Sequence, residues 1–191
     1  MKKLILSALF ALFTTFAVQA SASAVTDSVQ AAIAAGNFEK INQIAAANPG
    51  AQGEIALYLL QQAQSKIATN PTLAAKLFTA AGPFVGQIPE SQSKQAATII
   101  AALVNIANGK GFQAASPCPA SDIFAAALGM TEQTNISTQN AGLHGQTVSN
   151  ANGLMAQNPQ CEGDKLAALL AVTQGTTPTV NTLGAHAPSV E

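Results

Sequence analysis

Prolines and glycines cut this chain into short segments, and almost every segment carries apolar residues at the three- and four-residue spacing of an α-helix. Between Val25 and Phe112 the spacing predicts five helices. The first carries Val29, Ala32 and Ile33, with Thr26 or Asp27 as its cap and Gly36 as its stop. Asn37 caps a second helix with Phe38, Ile41 and Ala45 on one face, ended at Asn48-Pro49. A third runs from about Ala51 to Thr69 with Ile55, Leu59, Leu60, Ala63 and Ile67 in phase. Asn70-Pro71 opens a fourth, with Leu73, Leu77, Phe78 and Ala81 on its face up to Gly82-Pro83. A fifth starts near Pro89 and buries Ala96, Ile99, Ile100, Leu103 and Ala107 before Gly109. No stretch has the sustained alternation of β-branched residues that a sheet requires. The expected fold is all-α: an array of short alanine-rich helical hairpins, as an irregular bundle or a solenoid-like stack, with one disulfide in its C-terminal half.

Pro49, Pro71 and Pro89 each stand at an expected helix start, which makes a loose repeat without a strict period. The stretch from Gly36-Asn37-Phe38-Glu39-Lys40 to Asn48-Pro49 resembles the turn and second helix of a tetratricopeptide hairpin. It does not return at that motif's period of about 34 residues and lacks its aromatic pattern, so it reads as general hairpin grammar.

Residues 1–24 read as a signal peptide. Lys2 and Lys3 form a positive start, Leu4 to Val18 is an uncharged and mostly apolar run, and Ala20, Ala22 and Ala24 offer A-x-A cleavage frames. A spanning helix needs roughly 20 apolar residues, more than this run supplies. Cleavage is expected after Ala24, with cuts after Ala20 or Ala22 as alternatives, giving a bacterial periplasmic or secreted product without a stable membrane span.

Charged residues are 9% of the chain, against a usual share of about 25%, while apolar residues reach 48%. Removing the leader leaves six lysines against nine acids, a net charge of −3. Arginine and tryptophan are absent. Without the guanidinium fork for phosphate and guanine, or a basic stripe for counterion release, nucleic-acid binding is disfavoured.

Cys118 and Cys161 are the only cysteines, and in an oxidising compartment an isolated pair most simply forms one disulfide. Closing that loop is worth about 4 kcal/mol on the chain-entropy model. The pair would tie the helix after Ser116-Pro117-Cys118-Pro119, carrying Ile123, Phe124, Ala127 and Leu128, to a last helix carrying Leu166, Leu169, Leu170 and Val172. Residues 113–173 are therefore expected as a disulfide-tied region after the hairpin region of 25–112, followed by a disordered tail at 174–191.

Chemistry-bearing residues are few. His144 lies in Gly142-Leu143-His144-Gly145, and the only other histidine is His186 in the tail, which is too little for a metal site needing three or four convergent ligands. Asp122, Glu132, Glu162 and Asp164 would converge around the disulfide, but Asp122 and Asp164 read as helix-start acids that stabilise exposed amides. There is no G-x-S-x-G elbow and no phosphate loop after a strand. Asn135-Ile136-Ser137 is a glycosylation triplet, expected to be unused in a bacterial product. The stretch from Gln133 to Cys161 has no Asp, Glu, Lys or Arg. It reads as a polar loop with one short helix around Val148 to Gln157, either uncommitted or a surface for a neutral partner such as a glycan or a second copy.

These features point to an exported, non-catalytic helical protein acting in interaction or structure. Its expected partners are a cell-envelope or extracellular protein or another copy of itself, with no cofactor, metal or catalytic residue. The alternative is a carrier of an apolar or neutral small ligand held between helices.

Overall fold

The computed structural model describes residues 24–157. Among these residues the fold is all-helical, without strands. Helix α1 (Ala24–Ala34) begins earlier than its sequence cap, so Thr26 and Asp27 fall inside the first turn rather than before it. It buries Val29 and Ala32. Gly36, at φ +67°, ends the helix: its N–H donates to the Ile33 carbonyl and the Asn37 N–H to that of Ala32. That pairing requires a left-handed residue, which glycine adopts without a Cβ penalty. Asn37 then caps α2 (Phe38–Ala47), its side chain accepting from the Lys40 N–H at 3.0 Å.

After a 3-10 turn at Pro49–Ala51, α3 (Gln52–Lys66) buries Ile55, Ala56, Leu57, Leu59, Leu60 and Ala63. Asn70 caps α4 (Pro71–Ala81) by accepting from the Leu73 N–H at 3.0 Å, and Pro71 occupies the first turn, where no donor is lost. α3 and α4 pack together along their length. Their small residues, Ala56, Ala63, Ala74 and Ala75, let the backbones approach closely around Leu59, Leu60, Leu77 and Phe78.

A 3-10 strap, Gly82–Gln87, leads into α5 (Glu90–Ala107), the longest helix described, at 18 residues. The strap lies on α3, where Gly53 meets the Gln87 carbonyl so closely that no side chain fits between them. α6 (Lys110–Ala115) turns the chain into α7 (Pro117–Thr131), which packs against α4, α5 and α9. One hydrophobic core runs through these helices and across residue 112. Leu59, Leu77, Phe78, Ile100, Leu103 and Phe124, the core residues expected from spacing, are all fully buried.

The polar stretch departs most from expectation. It is largely helical through residue 157, as α8 (Thr134–Ser137) and α9 (Leu143–Gln157). α9 buries only a narrow stripe, Leu143, Thr147, Ala151 and Leu154, while Gln146, Ser149, Asn152 and Gly153 face solvent. Two of those four buried residues are threonine and alanine, which is why hydrophobic spacing understated this helix. The Thr147 hydroxyl donates to the Leu143 carbonyl at 2.8 Å, so a buried polar group is satisfied by its own helix.

Candidate functional site

Chemistry could arise wherever the fold brings polar groups together, and the described residues do so at four places. The first joins α7 to α9. Thr131 is buried at the end of α7, and its hydroxyl donates to the Ala127 carbonyl at 2.8 Å. With its proton committed there, its oxygen accepts from His144, whose Nδ1 lies 2.9 Å away. Nδ1 of His144 therefore carries a hydrogen. The half-buried imidazole acts as a bracket between helices, and the bond persists whether or not the ring is charged. Replacing Thr131 by valine removes the acceptor and leaves a buried N–H wanting; a loss of about 1–2 kcal/mol in denaturant unfolding is expected.

The second place is Asn135, first residue of the glycosylation triplet. Its amide donates to the carbonyls of Val85 at 2.9 Å and Ile88 at 3.2 Å, pinning the strap to α8. The side-chain nitrogen that a glycan would need is thus spent on the fold. Asn135→Asp would turn a carboxylate toward two carbonyl oxygens. It is expected to cost about 2–3 kcal/mol in chemical denaturation, more than Asn135→Ala, because repulsion adds to the lost bonds.

The third place links α1 to α3. The Thr26 hydroxyl donates to Glu54 Oε1 at 3.0 Å, and Tyr58 sits one turn beyond Glu54. Burial, and then the nearby Asp27 carboxylate, raise the Tyr58 phenol above its ordinary value of 10.0. The neutral phenol is the form the fold favours. This contribution to stability is complete below the unfolded value and is lost as pH rises through the folded one. Tyr58 is the only tyrosine and tryptophan is absent, so an ultraviolet phenolate titration reads this group alone. The folded protein is expected to titrate at higher pH than the urea-unfolded chain.

The fourth place is a groove of about 420 Å³ between α1 and α2, open to solvent. Val25, Ile44 and Ala47 form its apolar floor, and Ser28, Lys40 and Gln43 stand at its edges.

The expected carboxylate convergence is not found among the described residues. α7 starts at Pro117, so Asp122 lies in its second turn and is not the helix-start acid that the sequence suggested. Glu132 follows the last residue of the same helix. Ten residues of helix separate the two by about 15 Å, too far for a catalytic pair. Glu162, Asp164, Cys161, Leu169 and His186 lie outside the described residues, as do the leader at 1–23 and the tail at 174–191. Cys118, near the start of α7, is exposed and is not a free thiol. No three His, Cys, Asp or Glu residues among those described are grouped to hold a metal ion. No described helix is long and apolar enough to cross a membrane.

The His144–Thr131 bracket and the Asn135 clamp were beyond sequence reasoning, since each joins residues through tertiary packing. Only Thr131's place in phase with Ala127 and Leu128 hinted that its hydroxyl would be internal. The chain matches no protein-family model, no curated protein and no solved structure.

Proposed function

We propose that this is an exported, non-catalytic helical protein that acts through its surface, in interaction or structure, in the periplasm or outside the cell. The observation that carries this reading is how the reactive groups are used. His144 is bonded to Thr131, the Asn135 amide to two backbone carbonyls, and Asp122 and Glu132 stand at opposite ends of a helix. Export rests on the positive, apolar and A-x-A pattern of residues 1–24. Within the fold, the bundle form of the hairpin reading is favoured because α7 touches α4, α5 and α9 instead of only its neighbours in sequence.

The second part of the proposal is a Cys118–Cys161 disulfide. It is supported by Cys118 not being a free thiol and by Cys161 being the only other cysteine in the chain. The outward face of α9, with Gln146, Ser149 and Asn152, offers amides and a hydroxyl without charge. Sparse charge provides little repulsion between copies. The partner is accordingly a neutral polar surface, either of a cell-envelope protein or of a second copy.

Crosslinking the mature protein in its own cell envelope tests this. One reproducible product through α9, lost when Gln146, Ser149 and Asn152 are changed to lysine, is the expected result. Alanine at Asp122, Glu132, Glu162 and His144 should leave the associated phenotype unchanged; its loss would favour an enzyme. The groove between α1 and α2 supports the second reading, a small-ligand carrier, because its volume falls within the roughly 300–1,000 Å³ of small-molecule sites. Native mass spectrometry of material purified without detergent would reveal a retained molecule if that reading holds.

A further inference from the structure

We infer that the leader is removed by hydrolysis of the Ala22–Ser23 peptide bond, so that the mature chain begins at Ser23 and keeps Ala24. This rests on the export reading. The sequence contains two overlapping A-x-A frames, Ala20-Ser21-Ala22 and Ala22-Ser23-Ala24. Residue types alone do not separate them, since both present alanine at the two positions a signal peptidase reads.

The fold separates them. Ala24 is the first residue of α1, and its carbonyl accepts from the Ser28 hydroxyl at 2.8 Å. It also lines the groove that α1 makes with α2 beside Ile44 and Ala47. A cut after Ala24 deletes that acceptor and shortens an 11-residue helix. It also places the new ammonium on Val25, a half-buried residue packed against the core. A positive charge there opposes the helix dipole at its positive end. The upstream cut leaves Ala24 in place, carries the ammonium further from the apolar surface, and keeps a serine ahead of the first helical residue. Serine is a favoured residue type before a helix. A cut after Ala20 would use Val18-Gln19-Ala20, which is not an A-x-A frame and begins at the last residue of the apolar run. In the reaction water is added across one amide bond, leaving Ala22 as a carboxylate on the leader and Ser23 as the new amino terminus.

The test is expression of the full chain with a C-terminal tag in a bacterial host, then intact-mass measurement and N-terminal sequencing of the exported fraction. The expected sequence begins Ser-Ala-Val-Thr, and Ala24→Phe should be cut at the same bond with undiminished yield. A wild-type chain beginning at Val25 or Ser21, or an Ala24→Phe chain that accumulates unprocessed, would overturn the assignment. A wild-type chain that keeps its whole leader in the cytosol would overturn the export reading itself, and its mass distinguishes that outcome.

Discussion

Gly53→Ala is expected to destabilise the protein by about 2–3 kcal/mol, lowering the thermal midpoint by roughly 5–10 °C. The sign is contrary to helix propensity. Alanine within a helix is ordinarily about 1 kcal/mol better than glycine. Here the added Cβ would stand 2.2 Å from the Gln87 carbonyl oxygen, 2.8 Å from its carbon and 3.0 Å from the Ile88 Cα. All three are backbone atoms of the strap and its junction with α5, so no side-chain rotation relieves the overlap. Moving the strap also strains the Asn135 bonds to Val85 and Ile88. Gly129→Ala in α7 and Gly145→Ala in α9 are the controls. Nothing lies within 4 Å of either added Cβ, and each should be neutral or stabilising by up to about 1 kcal/mol. Thermal unfolding in which Gly53→Ala behaves like the two controls would mean that the strap is not seated on α3.

Phe124→Ala carries the largest expected loss, about 3–5 kcal/mol. Phe124 is fully buried on α7, the helix that meets α4, α5 and α9, and truncation leaves a hole that several elements must close at once. Alanine-rich faces have few long side chains able to swing into such a space, so relaxation should be slight and the cost near the upper end. Against a total stability of about 5–15 kcal/mol, this is enough to unfold a substantial fraction near physiological temperature. Phe112→Ala, at a half-buried position on α6, should cost less than half as much. A denaturant midpoint for Phe124→Ala no lower than that of Phe112→Ala would contradict α7 as the centre of packing.

The two asparagine caps show why much of this fold is legible from residues alone. Asn37 and Asn70 each accept from the N–H three residues ahead, a local bond set by side-chain type and a short loop. Spacing likewise finds Leu59, Phe78, Ile100 and Phe124, because a helix face repeats whatever it packs against. α9 was hidden for the converse reason. A stripe containing Thr147 and Ala151 is too weakly apolar to advertise a helix, and the outward amides resemble those of a loop. The candidate chemistry was less legible still. Asp122 looked like a helix-start acid only while α7 was drawn too short, and His144 looked like a loop histidine before Thr131 was placed beside it.

What residues 24–157 determine by themselves is the helical class, most stops and caps, and the identity of the large buried side chains, because these depend on contacts within about one turn. Only the tertiary structure decided that Gly53 must lack a side chain, that Asn135 holds a strap, and that His144 braces α9 against α7. Those three depend on atoms distant in sequence meeting at van der Waals or hydrogen-bond distance. The register of one helix on another fixes that meeting, and neither composition nor periodicity encodes it.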